Sequence, residues 1–171
     1  MTTSTSPDTS TSPDTSTSPD TSTSISSGGF TAVLTLPISP DELADLLTSA
    51  AGVSRWWGPS EGDGSVGGTL ITSFGEHGVN AVRVLEAGPA CVVWEPVVVA
   101  GTTPTAHTQE WLGTRIEFDI VPAGTRTELR FRHAGLSQEL ACWDDCFAGW
   151  TYFMTSIETL ARTGTGTPFG S

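Results

Sequence analysis

From Arg115 to Arg132 the chain alternates between apolar and polar positions. Ile116, Phe118 and Ile120 stand between Arg115, Glu117 and Asp119, and further on Leu129 and Phe131 stand between Glu128, Arg130 and Arg132. A period of two with one apolar side predicts two half-buried antiparallel strands. Pro122-Ala123-Gly124-Thr125 lies between them, and a proline with fixed φ beside a glycine that accepts positive φ makes that segment the reversal of a hairpin. His133 follows Phe131 by two positions, so an unbroken strand turns it to the same inner face. This places a histidine at the strand end, at the mouth of an internal cavity.

The pattern then changes period. A helix is expected from Ser137, as N-cap, to about Arg162, with Glu139 in the first turn where the helix dipole favours a carboxylate. Steps of 100° gather Leu140, Trp143, Cys146, Phe147, Trp150, Phe153, Met154, Ile157, Leu160 and Ala161 on one half of the wheel. Asp144, Asp145, Thr151, Thr155, Thr159 and Arg162 fall on the other half, and Tyr152 falls with them. So wide an apolar stripe, over roughly 25 residues or about 37 Å of helix, needs a concave partner, and a bent sheet of several strands supplies one.

Upstream, Phe30, Val33, Leu34, Leu36 and Ile38 make residues 29–38 a first strand. Ser39-Pro40-Asp41-Glu42 reads as a capping box with proline at the first helical position, followed by Leu43, Leu46 and Leu47 on one face. That helix should end before Gly52, Arg55-Trp56-Trp57-Gly58 should close a second helical turn, and Pro59 to Gly68 should be a polar, glycine-rich loop. Strands are expected at 68–75, 78–87 and 90–99, with reversals at Gly75-Glu76-His77-Gly78 and Gly88-Pro89. His77 falls in an exposed loop, and Pro96 argues for an edge or a bulge. The sum is an α+β domain: an antiparallel sheet, helices on one side, and a long C-terminal helix in its curve.

Composition removes one segment from this fold. Thr-Ser-Thr-Ser-Pro-Asp occurs three times between Thr3 and Asp20 and decays towards Ser27. Six residues are too few for a solenoid unit and these carry no apolar side chain, so residues 1–27 are expected to form a disordered tail, with one domain over 28–169.

The net charge is −12, with seven arginines and no lysine. Such a balance disfavours nucleic acid and anionic membranes as partners, and Arg115, Arg130 and Arg132 read as the solvated outer face of the hairpin. With no basic segment leading into an apolar one at the start, and no apolar run of about 18 residues, the expectation is a soluble, cytoplasmic protein.

Among the three cysteines, Cys142 and Cys146 lie one helical turn apart, which suits a disulfide poorly. No Cys-x-x-Cys or His-x-x-x-His spacing completes a ligand set, so they read as small buried hydrophobes, with no metal and no cofactor expected. Gly62 to Gly68 lacks the lysine of a phosphate-binding loop, and no Ser-His-Asp order is present. Hydrolase, kinase and metalloenzyme readings fall away on those grounds.

Several motifs occur together in a familiar order: Glu110-Trp111-x-Gly113-Thr114, Phe131-x-His133-x-Gly135-Leu136, Cys142-x-x-x-Cys146-x-x-Gly149-Trp150, and a closing Gly164 to Pro168. With the Ser39-Pro40 helix start and Trp56-Trp57, they resemble the SRPBCC superfamily. Within it the likeness is to the heat-shock protein 90 ATPase activator homologue C-terminal domain family, and it covers nearly all of residues 28–169. The resemblance implies a helix-grip fold of the Bet v 1 and START type, whose cavity between sheet and long helix commonly takes lipids, polyketides or other hydrophobic molecules.

The leading expectation is therefore a binding module for a small hydrophobic molecule, with Phe74, Trp94, Trp111, Phe118, Phe131, His133, Trp143, Trp150 and Met154 as candidate contacts. Glu110, Thr114, His133 and Tyr152 are the polar candidates, and Trp111 rather than Glu110 turns inward if Gly113 makes a bulge. The aromatics also read simply as core filling. A second expectation is a polyketide cyclase or aromatase, with His133 as base and Glu110 orienting it. A third is a chaperone partner, which only the resemblance implies.

Overall fold

The computed structural model describes residues 21–26 and 28–171. The hairpin that the alternation predicts is β7 (Arg115–Ala123) and β8 (Arg126–Ala134), paired from Arg115↔Ala134 to Ala123↔Arg126. Pairing continues through Pro122↔Thr127, so the reversal is only Gly124-Thr125. Gly124 takes φ +67°, as the first loop position of a two-residue type II′ turn requires. Ile116, Phe118, Ile120, Leu129 and Phe131 are buried, while Arg115, Asp119, Arg130 and Arg132 are exposed. On the outer face Arg132 lies 3.8 Å from Glu117, its cross-strand partner, and Arg130 lies 2.6 Å from Glu128.

Six further strands extend this hairpin. They are β1 (Thr21–Ser26), β2 (Gly29–Leu36), β3 (Ser60–Gly62), β4 (Thr69–Ser73), β5 (Val79–Ala87) and β6 (Cys91–Val97). The eight form one antiparallel sheet in the order β1-β2-β8-β7-β6-β5-β4-β3. Strand β7 leaves β6 after Trp94↔Ile116, so Pro96 pairs only with Val82 of β5 and withholds no hydrogen bond from β7. The irregularity of this pair falls on the other strand, between Val84 and Glu86.

Two expectations need correction. Thr21–Ser26, assigned by its composition to a disordered tail of residues 1–27, pairs with β2 from Thr21↔Leu34 to Ser26↔Gly29; residues 1–20 and 27 lie outside the described residues. The polar loop from Pro59 to Gly68 also carries the short strand β3. Three residues with no apolar side chain give no periodicity to detect.

The capping box at α1 (Pro40–Thr48) forms as the sequence implies, with Ser39 Oγ accepting from Glu42 N and Glu42 Oε2 accepting from Ser39 N. Leu43, Leu46 and Leu47 are buried on its inner face. Helix α2 (Ala50–Ser54) follows and aims Trp56 and Trp57 into the core.

The long helix α4 spans Trp143–Thr163, about 32 Å at 1.5 Å per residue. It starts later than Ser137, because Ser137 to Cys142 form turns closed by Leu140 N–H to Ser137 O and Trp143 N–H to Leu140 O. Gly164 at φ +83° ends it with a left-handed cap. Phe147 packs edge-on to Phe30 of β2 at 5.2 Å, and Trp150 packs on Phe131 of β8 at 4.6 Å. The helix thus lies in the grip of the sheet. Among the described residues, no helix is long and apolar enough to cross a membrane.

Candidate functional site

The segment before α3 (Thr108–Trp111) closes one wall of a cavity, and the first turns of α4 close the facing wall. The cavity has a volume of about 400 Å³. Its apolar lining is Trp57, Phe74, Trp111, Trp150 and Phe153. His77, Asn80, Thr105, His107 and Asp145 supply polar edges, and Asn80 Oδ1 is already engaged, since Thr105 Oγ1 donates to it at 2.7 Å.

The walls are built from stacked indoles. Trp94, Trp57, Trp150 and Trp111 follow one another at 5.5, 5.8 and 5.6 Å with planes within 23° of parallel. Four rings in one column give a stiff, polarisable surface, because each offset-stacked pair adds about 0.5–1.5 kcal/mol beyond the area that it buries. Gly149 completes the lining from the middle of α4, and a Cβ added there would meet no atom within 4 Å. Glycine inside a helix costs about 1 kcal/mol relative to alanine. Close packing does not explain this one; open space does.

Of the candidate contacts, Phe74, Trp111 and Trp150 line this cavity. Trp94, Phe118, Phe131 and Met154 are core residues with no more than 1% exposure, and Trp143 packs against Phe147. Tyr152 is exposed, as the wheel implies. Trp57, Phe153, Gly149, Asn80 and the Thr105-Ala106-His107 segment escaped the sequence reading. Phe153 was legible as inward-facing, whereas the loop before α3 has no periodicity that would place it.

His133 sits behind the cavity wall rather than at a mouth, with 0% exposure. Trp150 Nε1 donates to its Nδ1 at 2.9 Å, and its Nε2 lies 2.8 Å from Thr114 Oγ1. An indole nitrogen only donates, so Nδ1 is the acceptor and Nε2 carries the proton. The Thr114 hydroxyl accepts that proton's hydrogen bond and passes its own to Trp111 O at 2.6 Å. Burial, with no neighbouring charge, lowers the His133 pKa to about 3. The ring is a neutral brace between the two indoles of the wall.

Glu110 stands elsewhere. Its carboxylate accepts from Cys142 N–H at 3.1 Å, at the start of α4, where the free backbone N–H groups of the first turn collect. Trp111 does turn inward, but through the helical turn of α3 rather than a bulged strand, with Gly113 at φ +83° just after it. Neither His133 nor Glu110 lines the cavity.

No family model and no curated protein matches this chain. Solved structures do. The Aha1 dimer from Colwellia psychrerythraea superposes with a TM-score of 0.67 at 23% identity, over 80% of this chain and 97% of that one. CalU16 from Micromonospora echinospora gives 0.60 at 16% identity over 82% and 77%. DynU16, a protein of the dynemicin biosynthetic locus, gives 0.60 at 16% identity over 80% of this chain and 48% of that one.

These likenesses define the class: an α+β helix-grip fold, an antiparallel sheet gripping a C-terminal helix. The resemblance to the SRPBCC superfamily carried by the sequence motifs is matched by the fold, with an Aha1 structure among those that share it.

Proposed function

We propose that this domain binds a small, largely apolar molecule in the cavity between α4 and the loop before α3. The observation that carries the reading is an opening of about 400 Å³ walled by tryptophan and phenylalanine. It falls within the roughly 300–1,000 Å³ typical of ligand pockets, which combine apolar walls with a few polar groups. Gly149 adds to this support, because the helix gives up stability at a cavity-lining position where an added side chain would enter open space.

Acid–base catalysis has less support. His133 has both ring nitrogens engaged and a depressed pKa, and Glu110 serves the start of α4. A base needs a free lone pair within reach of its substrate. The binding reading requires no such group.

The test is a fluorescence titration, since Trp57, Trp111 and Trp150 all line the cavity. The panel holds fatty acids, sterols and aromatic polyketides, with natural products included because DynU16 is a protein of a biosynthetic locus. Saturable quenching by one class, lost in a folded Gly149→Phe variant, is the expected result. A chain that responds to no member of the panel, or a Gly149→Phe variant that responds as the parent does, overturns the reading.

A further inference from the structure

His107, Cys142 and Cys146 bring their metal-binding atoms together so that all lie within 4.8 Å of one another. His107 precedes α3, Cys142 is the cap residue of α4, and Cys146 sits one turn along that helix, its N–H bonded to Cys142 O at 2.7 Å. We propose that these three side chains bind a thiolate-seeking transition metal ion of the Zn²⁺ class, with the fourth coordination position open to the cavity.

The donor set fits such an ion. Two sulfurs and an imidazole are the ligands that Zn²⁺ prefers, and three protein ligands with a vacant position is the arrangement of an open site. Bond lengths of about 2.3 Å to sulfur put tetrahedral ligand atoms about 3.8 Å apart, so the three need close by no more than about 1 Å. His107 can supply that movement, being partly exposed at the end of the long segment that joins β6 to α3. Its ring and Cys146 both line the cavity, which sets the direction of the open position.

The surroundings suit bound thiolates as well. Trp111 Nε1 donates to Cys146 Sγ at 3.2 Å, an outer hydrogen bond of the kind that steadies a ligating sulfur. Asp145 Oδ2 lies 3.9 Å from His107 Nε2, and Glu110 lies beside Cys142, so two carboxylates face a cation at this position. Without a metal, burial raises the pKa of both thiols. Binding must therefore expel two protons, one from each sulfur, as the two S–metal bonds form.

The experiment uses the full chain, reduced and free of oxygen, titrated with Co²⁺ as a coloured probe. No organic occupant is needed, so the outcome is independent of the cavity reading. A thiolate-to-metal charge-transfer band saturating at one equivalent, and bleached by Zn²⁺, is expected. His107→Ala should weaken Co²⁺ binding by at least about tenfold, Cys142→Ala and Cys146→Ala should remove the band, and Cys91→Ser on β6 should keep it. Cys142 and Cys146 are buried and react only as the fold opens, so Zn²⁺ should slow their alkylation relative to the more exposed Cys91, followed over time by mass spectrometry on the unaltered chain, which needs no variant to fold. Absence of a charge-transfer band, a band indifferent to His107→Ala, or alkylation unchanged by Zn²⁺ overturns the proposal.

Discussion

Trp150 holds His133 in one tautomer through a 2.9 Å hydrogen bond from indole Nε1 to Nδ1. The relationship fixes more than a proton. Trp150 is stacked between Trp57 and Trp111, and His133 meets both Trp111 and Trp150 edge-on, at 4.8 and 5.7 Å. The cavity wall is thus locked from behind by a polar chain that ends on Trp111 O.

That lock should make the fold acid-sensitive. The folded pKa of His133 is lowered to about 3 from the ordinary 6.5, so the unfolded chain binds the extra proton between those values. Stability is fully present above pH 6.5 and falls as the pH drops towards 3, by up to about 1.4 kcal/mol per pH unit from this residue. Urea midpoints measured from pH 7 to pH 4 should fall more steeply in the parent than in His133→Gln. Equal slopes would show that the ring does not titrate in this way.

Gly149→Ala should stabilise the protein by about 1 kcal/mol, because it removes the backbone entropy cost of a mid-helix glycine and its new methyl group meets no atom. Thermal unfolding reads the gain. A loss of stability would mean that the cavity wall stands closer to α4 than described.

Trp94 and Trp56 offer a matched pair. Both are fully buried and stacked on each other, yet Trp56 Nε1 donates to Leu46 O at 2.9 Å while Trp94 Nε1 has no partner. Replacing either by phenylalanine removes similar volume, but only Trp94→Phe also removes an unsatisfied donor. Trp56→Phe should therefore cost about 1–3 kcal/mol more than Trp94→Phe by chemical denaturation. Equal costs would point to a bound water serving Trp94.

Ser39→Ala should cost about 1 kcal/mol, within the 0.5–2 range for losing an N-cap side chain, since it breaks one arm of the capping box with Glu42. Equilibrium unfolding gives the value. Parent-like stability would mean that Pro40 alone sets the start of α1.

Much of the architecture is legible in local pattern. The period of two placed β7 and β8, the capping box placed α1, and the wheel of α4 picked out Cys146, Trp150, Met154, Ile157 and Leu160, all buried. The wheel missed Ser156 and Glu158, which are also buried. Ser156 is covered because its Oγ takes Thr167 N–H from the returning C-terminal segment, a tertiary contact that helical periodicity does not contain.

The site was less legible, for a related reason. Parity says that Phe118 and Phe131 point inward, but not whether the space before them is filled, and the stacked tryptophans fill it. The opening lies instead where α3 and α4 stand apart, lined by His107 and Asn80 from separate elements. Cys142 and Cys146 could be read as neighbours from spacing; the histidine beside them could not.

The opening repeat changes its composition at the copy that pairs with β2. Three copies of Thr-Ser-Thr-Ser end in Pro-Asp, and the fourth ends in Ile25-Ser26. Proline withholds a ladder hydrogen bond; this last copy contains none, and Ile25 lies opposite Phe30. A protein trimmed to Gly28, the boundary that composition invites, would lay bare the flank of β2 from Gly29 to Leu34. An uncovered flank of that length is a template for a second molecule, so shortened versions should self-associate with rising concentration.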